Sequence, residues 1–482
     1  MTEPTFGITL TPVDNETRTP SAADMSIVGI IGTAADADAG TFPVNTPVLM
    51  TSDDAGMLAD LGAAGELKNA IAELDANTGG RAAKIVVVRV TAGANTAATM
   101  VNIIGDASTK TGLHAFKEAA QVLGVTPRLI LVPNFTGVVQ KGVSLAITTP
   151  GNSGANGTFN FVFSGGAGTG AAGTFTVTGG SIASLAVTNP GIYTAAPTAA
   201  VTASAGLTGA AVAVTLVDLA NSVCVALGPV LDDLKAVAFV SGPDSTSTAA
   251  KAWRALLTHQ RLMPVDNGLK VQVGESLVTI DPASAFNGLQ VLCDAEAGGV
   301  PSKVIANRPV QGSVGLTRAI RFSLTDGSVD GQDLLAHQIG ITVRGSTADG
   351  AIADSGFVAV VLDNAGEDEL WRQYHQVRMR DYIDLLLVRT TRSYIGRFGL
   401  KVQTIQAVLN TMNTILRDLQ VGGHVLGGKV DYDAAGNTPE ALRAGKFTVN
   451  FRAEPVPTLR NLAINTYRYS AALDDLLTQI AA

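Results

Sequence analysis

The feature that most constrains this chain is an abrupt change of composition between residues 141 and 220. This segment is rich in Gly, Ala, Thr and Ser, and charged residues almost vanish from it. Within it, residues 158–163 and 173–177 alternate Phe or Val with small polar residues, which is the period of half-buried strands. Short strands separated by glycine-rich turns predict an inserted β-rich decoration domain over residues 141–220.

On both sides of this insertion, apolar strand-like runs alternate with helical patterns. The strand-like runs are residues 26–31, 47–50, 84–90, 128–132, 236–240, 269–273 and 339–344. The helical stretches are residues 66–74, 112–123, 231–234, 245–259 and 283–295. Such alternation predicts an α/β sheet with helices on both faces. We therefore expect an α/β domain built from residues 21–140 and 221–345.

Residues 346–458 are predicted to form a C-terminal α+β core. A helical pattern covers residues 367–390, and a second one places apolar residues at three- and four-residue spacing from Val402 until Gly422 and Gly423 end it. After a loop, Phe447, Val449 and Phe451 alternate with polar residues, which predicts a strand over residues 446–452. Pro455 and Pro457 are expected to end its pairing.

Both ends of the chain are predicted to be arms. In residues 1–20, Phe6, Ile8 and Leu10 alternate as in a strand, and a Pro-containing tract without apolar period follows them. In residues 459–482, a strand restarts with Leu462 and Ile464, and a short helix closes the chain. Because a lone strand cannot pair its own backbone groups, each arm must add to a sheet of its own chain or of a neighbour.

Bulk properties exclude some classes of protein and leave others open. The 482 residues suggest about three domains. The net charge of −8 has no long basic run, so nucleic acid is not an expected partner. No membrane span and no signal peptide are recognisable, so we expect folding in a cytosol. A charged fraction of only 15 % suits a subunit covered by copies of itself, and equally a cytosolic α/β enzyme.

The residues that usually carry chemistry do not form known motifs. The five histidines are isolated, residues 79–84 lack the spacing of a phosphate loop, and no nucleophile elbow is present. No catalytic, cofactor-binding or metal-binding residues are therefore predicted. Cys224 and Cys293 lie in apolar runs, which favours buried thiols, and a disulfide within or between subunits is the alternative.

Several ordered segments are similar to the sheath proteins of contractile-tailed bacteriophages. These segments are residues 27–38, 41–49, 86–90, 111–113, 127–130, 442–447 and 455–457. The resemblance spans both ends and stops at the insertion. It implies a non-enzymatic subunit that stacks in hexameric rings around a tail tube and contracts to drive the tube through the host envelope. It also implies assembly in the host cytoplasm and a final place in the virion tail.

The resemblance implies a mode of assembly as well. In this family, the terminal arms of one subunit add strands to the C-terminal sheet of its neighbours. The exchanging residues would be Phe6, Ile8 and Leu10 at one end and residues 462–467 at the other, and the receiving sheet would include Phe447, Val449 and Phe451. Implied partners are the subunit itself, the tail tube, the baseplate and the tail terminator. Alternatives are the sheath of a phage-derived bacteriocin or secretion machine, or a cytosolic α/β enzyme.

Overall fold

The structure, a computed structural model, describes residues 22–481 and contains twenty strands and twelve α-helices within that range. The strands are β1 (Val28–Thr33), β2 (Pro47–Thr51), β3 (Lys84–Val90), β4 (Leu129–Leu131), β5 (Gln140–Thr149), β6 (Gly157–Ser164), β7 (Ala167–Thr178), β8 (Ser181–Ala195), β9 (Thr198–Val201), β10 (Ala211–Leu219), β11 (Val237–Ser241), β12 (Leu262–Asp266), β13 (Leu269–Val273), β14 (Ser276–Ile280), β15 (Arg308–Val310), β16 (Ser313–Leu316), β17 (Gly340–Arg344), β18 (Phe357–Val360), β19 (Val425–Tyr432) and β20 (Val449–Pro455). The helices are α1 (Ala55–Asp60), α2 (Leu67–Ala76), α3 (Thr96–Ile104), α4 (Ala119–Val122), α5 (Ser222–Leu234), α6 (Ser247–Ala255), α7 (Pro282–Glu296), α8 (Asp330–Ala336), α9 (Tyr374–Thr391), α10 (Val402–Val421), α11 (Pro439–Arg443) and α12 (Ala471–Ala481).

Nine strands form the central sheet, in the spatial order β15-β18-β17-β12-β11-β4-β1-β3-β2. The six strands from β17 to β3 run parallel, and antiparallel strands flank them at both edges. Parallel neighbours need crossover connections, so helices lie between them in the chain and cover both faces of the sheet. The predicted mixed α/β fold is therefore confirmed.

The strands of this sheet alternate between two apolar layers. In β1, Ile30 belongs to the layer formed with α2 and α7, whereas Ile31 belongs to the layer formed with α3 and α5. In β3, Val87 and Val88 divide in the same way, and all four side chains are fully buried. Burial on both faces explains why these strands are almost continuous apolar runs in the sequence.

Strands β5 to β10 form two sheets with a small core of their own. Strands β5 and β10 pair antiparallel, with Leu219 opposite Gln140, and β8-β7-β6-β9 form a four-stranded sheet. The core between them is centred on Phe161, Phe175 and Val177. No residue from 142 to 217 is charged. The composition change in the sequence thus coincides with a change from mixed α/β to pure β structure.

Helices α9 and α10, strands β19 and β20 and residues 22–27 pack around a separate core, and we call this group the C-terminal unit. The core joins side chains of both helices with Ala23, Met25 and Val425. A buried ion pair connects α9 to the central sheet, because the Arg261 guanidinium preceding β12 donates to both carboxylate oxygens of Asp381. The C-terminal unit is therefore attached to the α/β body by charge as well as by chain connection.

Within residues 22–481, no helix combines the length and the hydropathy that crossing a membrane requires.

Candidate assembly interface

The C-terminal unit carries a sheet of only two strands. Strands β19 and β20 pair antiparallel from Tyr432 opposite Val449 to Val425 opposite Pro455. In the described part of the chain, no third strand pairs with either outer edge. An unpaired edge presents a row of backbone N–H and C=O groups that another strand can use. This sheet thus has two edges that can accept added strands.

One face of the two-stranded sheet packs on the helices. Val430, Phe451 and Ala453 contact the core formed by α9 and α10. The approach is close at Gly428, where an added Cβ would lie 2.1 Å from the Arg452 carbonyl oxygen and 2.8 Å from a Leu416 methyl carbon. The apolar support fixes the position of the sheet and leaves its edges open.

The structure places the three predicted receiving residues near this sheet, but the strand begins at Val449, later than predicted. Val449 and Phe451 lie in β20, whereas Phe447 precedes the strand and stacks near Tyr432, with ring centroids 6.1 Å apart. The pairing ends at Pro455 as expected, since Pro455 is the last residue of β20 and lies opposite Val425. A proline is tolerated at a strand end because one lost N–H there breaks little of the ladder.

Strand β19 was not expected from the sequence, in which residues 425–432 are part of a loop. Gly427 and Gly428 interrupt its apolar alternation, and Asp431 adds a charge. Val425 and Val430 are the apolar residues that reach the core. A signal was present in the spacing of Val430 and Tyr432, but glycines normally count against a strand interior.

The N-terminal arm leaves from the C-terminal unit. Arg378 on α9 is 1 % exposed, donates to both oxygens of Asp294 at 2.8 and 2.6 Å, and donates to the Met25 carbonyl at 2.9 Å. Burial opposes the charge of Arg378, but the paired Asp294 outweighs burial and raises the pKa of the guanidinium. Arg389 donates to the Ala22 carbonyl at 2.7 Å. These bonds hold Ala22 and Met25 against α9.

The exchange strand predicted at Phe6, Ile8 and Leu10 lies outside the described residues.

The C-terminal arm also leaves from this region. The Thr458 N–H donates to the Gln373 side chain at 3.0 Å, and Arg460 pairs with Asp363. From residue 459 to residue 481 every residue is exposed, including Leu462 and Ile464 at 68 % and 73 %. Residues 462–467, predicted to form an exchange strand, pair with no strand of the described chain. Their pairing with a neighbour stays a prediction.

The two cysteines are free and buried in different layers of the central sheet. Cys224 on α5 belongs to one layer and Cys293 on α7 to the other. Burial raises the pKa of the Cys293 thiol to about 11 and also raises that of Cys224. The structure thus places both residues as buried thiols within one subunit, and a disulfide between subunits stays a prediction.

An α/β enzyme would use the crevice at the carboxyl ends of the parallel strands. Here a cavity of about 290 Å³ is lined by Asp266 and Asp281. Asp266 pairs with Arg318, and Asp281 accepts from the Ser241 hydroxyl and from the Asn134 and Ala283 N–H groups. Burial raises the pKa of both carboxyls. Their oxygens are engaged in holding loops and the start of α7.

Within residues 22–481, no cluster of three or more His, Cys, Asp or Glu side chains is arranged to hold a metal ion.

The mixed α/β fold of this chain matches those of solved contractile sheath structures. The contracted sheath of the extracellular contractile injection system PVC matches with a TM-score of 0.57 at 12 % identity, over 98 % of this chain and 99 % of that chain. The contracted helical sheath of the anti-feeding prophage matches with a TM-score of 0.58 at 11 % identity, over 97 % and 100 %.

Comparison of sequences finds similarity to phage tail sheath proteins. Residues 366–468 match the family model described as phage tail sheath C-terminal domain. The tail sheath protein of Escherichia phage P2 is 23 % identical over 98 % of both chains. The major tail sheath protein of Serratia phage KSP20 is 35 % identical over 23 % of this chain and 29 % of that protein. The chain is therefore similar to phage tail sheath proteins over nearly its whole length, and residues 366–468 match their C-terminal domain.

Proposed function

We propose that this chain is the structural subunit of a contractile phage tail sheath. It polymerises as stacked hexameric rings around a tail tube, and contraction of the polymer drives the tube through the host envelope. The chain works by assembly and carries out no catalysis. It is assembled in the host cytoplasm and becomes part of the virion tail.

The observation that carries this proposal is the arrangement of the C-terminal unit. Two open strand edges lie in the unit from which both arms depart. A subunit can donate its arms to neighbours and accept theirs on β19 and β20. Main-chain hydrogen bonds then hold each joint, while the extended linkers let the bodies rotate. Phe6, Ile8 and Leu10 would pair on one edge, and residues 462–467 on the other.

Contraction needs a second set of contacts that form only in the contracted state. A transition proceeds only when the two states differ in interaction free energy. The α/β body, residues 21–140 with 221–345, is the part that we assign to these contacts. The arms keep the joints intact while the bodies move from one packing to the other.

The C-terminal helices are the surface that we assign to the tail tube. The exposed side of α10 carries four amide side chains, namely Gln403, Gln406, Asn410 and Asn413, and near its end the charged Arg417 and Asp418. Amides can hydrogen-bond a tube and release it without the desolvation cost of buried charges. The baseplate and the tail terminator are the further partners at the two ends of the polymer. The solved structure of the anti-feeding prophage baseplate contains a chain similar to this one in fold.

A phage-derived particle is the second candidate. The solved structures that match over nearly the whole chain belong to an extracellular contractile injection system and to the anti-feeding prophage. Such a particle uses the same subunit chemistry, and only its cargo and target differ. Electron micrographs of particles from the producing strain distinguish the two, since a phage carries a DNA-filled head.

The test of the proposal is deletion of residues 1–11. The purified full chain is expected to form tubes or rings in negative-stain micrographs, and the deleted chain is expected to stay dispersed because one sheet edge loses its strand. Normal polymers from the deleted chain would contradict strand exchange. Dispersed full-length monomers at all concentrations would contradict the sheath function itself.

A further inference from the structure

Helix α12 presents an apolar stripe that no described part of its own chain covers. Leu473, Leu476, Leu477 and Ile480 recur at three- and four-residue spacing, which places them on one face. They are 51–72 % exposed. A helix of eleven residues is marginal by itself in water, so such a face is expected to pack on something.

The position of α12 limits where that surface can be. Only residues 468–470 separate the proposed exchange strand from the helix, a reach of about 14 Å. If residues 462–467 add antiparallel to β20, they end at the side of the sheet marked by Tyr432 and Val449. Strand β19 runs back along α10, with Gly428 against Leu416, so this side points toward the start of α10. The helix is thus delivered near the connection between α9 and α10.

The connection between α9 and α10 is complementary to α12 in charge and also exposes apolar side chains. Residues 392–401 contain Arg392, Arg397 and Lys401 and no acidic residue. All three cations are exposed, and so are Ile395 at 80 % and Phe398 at 47 %. Helix α12 contains Asp474 and Asp475 and no basic residue. The two surfaces therefore match in apolar character and are opposite in charge.

We propose that α12 of one subunit packs against residues 392–401 of the neighbouring subunit that receives its C-terminal strand. This inference rests on the proposed strand exchange and adds a second contact to each joint. The strand supplies main-chain hydrogen bonds, and the helix supplies an apolar contact with an acidic rim. The occupant is a second copy of this chain.

Crosslinking tests the contact directly. Single variants Leu477→Cys and Ile395→Cys change exposed positions, and the native thiols are buried. The two variants are mixed, polymerised without tube protein, and oxidised. A disulfide-linked dimer is expected in the mixed polymer and not in either variant alone. A polymer of normal appearance without that dimer would overturn the proposal. Because no tube protein is present, a crosslink can arise only between copies of this chain.

A charge reversal supplies an independent test with a matched control. Asp474 adjoins the stripe residue Leu477, three positions later, whereas Asp475 has no stripe residue three or four positions away. Asp474→Lys is expected to raise the protein concentration needed for polymerisation about fivefold. Asp475→Lys makes the same charge change and is expected to leave that concentration nearly unchanged.

Adding Arg397→Asp to the Asp474→Lys chain should restore polymerisation. Equal effects of Asp474→Lys and Asp475→Lys, together with no restoration, would contradict the contact. These outcomes leave the sheath function intact, because polymers still form at higher concentration. Failure of the unsubstituted chain to polymerise would instead remove the proposed function.

Discussion

Glu73 on α2 is a carboxyl group almost out of contact with water. It is 2 % exposed and accepts a hydrogen bond from the Asn77 side chain at 3.2 Å. Burial raises the pKa of Glu73 from 4.5 to about 7, and the bond from Asn77 opposes this only in part. The folded chain thus keeps a proton between pH 4.5 and 7 that the unfolded chain has lost.

Replacing Glu73 should change how the stability of the folded chain depends on pH. Where the folded state binds more protons than the unfolded state, stability falls as pH rises, so Glu73 destabilises the fold progressively from about pH 4.5 to 7. Glu73→Gln keeps the acceptor for Asn77 and removes the titration. Relative to the original chain, the free energy of unfolding of the variant should rise by up to about 3 kcal/mol between pH 5 and pH 8. Urea unfolding at both pH values measures this.

The control is Glu275→Gln, in the exposed turn between β13 and β14. This variant should show the same difference in unfolding free energy between pH 5 and pH 8 as the original chain. An identical pH profile for Glu73→Gln and the original chain would mean that Glu73 is ionised in the folded protein.

At the scale of one element, strand β19 depends on a single close approach. Gly428 lies where an added Cβ would be 2.1 Å from the Arg452 carbonyl oxygen, whereas an added Cβ at Gly427 would meet nothing within 4 Å. Gly428→Ala must therefore push β19 and β20 apart, at a cost of about 1–3 kcal/mol. Gly427→Ala makes the same chemical change in open space.

The pair of variants links the sheet to assembly. Gly428→Ala should lower the stability of the C-terminal unit in thermal unfolding and raise the concentration needed for polymerisation, whereas Gly427→Ala should change neither by much. Polymerisation that tolerates Gly428→Ala as well as Gly427→Ala would argue that β19 and β20 do not receive the arms.

The elements that the sequence predicts well are those with strong periodicity. Strand β3 has the predicted bounds because five of the seven residues from 84 to 90 are β-branched, and α10 begins and ends where its apolar spacing does. Helix α5 extends well before the predicted residues 231–234, and it contains Pro229, a residue that normally disfavours a helix interior. Helix α3 had no predicted counterpart, because its Thr and Asn residues weaken the helical pattern.

The candidate interface was harder to predict than the fold. Its residues act through the unpaired backbone groups of strands at the edge of a sheet. Whether a strand lies at an edge depends on which other strands pair with it, and this cannot be seen in its own sequence. Val449 and Phe451 were identified by alternation, but β19 was not, so the sequence did not show that the sheet has two strands. The hydrogen bond from Arg378 to the Met25 carbonyl joins residues far apart in the chain, so no local sequence pattern predicts it.

At the scale of the whole molecule, strands β5 to β10 are separable from the α/β body. Gln140 and Leu219 are paired neighbours, so a short linker can join the chain on either side of the insertion. Replacing residues 141–220 with such a linker should leave polymerisation intact, because we place this module on the outside of the sheath. Wedged between subunits, it would obstruct contraction.

Negative-stain micrographs of the shortened chain check this prediction. Tubes of normal length and smaller outer diameter are the expected result. Circular dichroism serves as the control, since the helical signal of the α/β body should be retained. A folded, shortened chain that forms no polymers would show that the module belongs to the lattice.

The uncharged insertion has a consequence for proteolysis. Trypsin cuts after Lys or Arg, and the chain has neither between Lys141 and Lys235. The loops of the module are the kind of exposed sites at which proteases usually nick a protein, but they offer trypsin no bond to cut. Trypsin-like enzymes can therefore detach this module only together with α5, because the first site after Lys141 is Lys235, at the end of that buried helix. Digestion of intact particles should leave the module uncut.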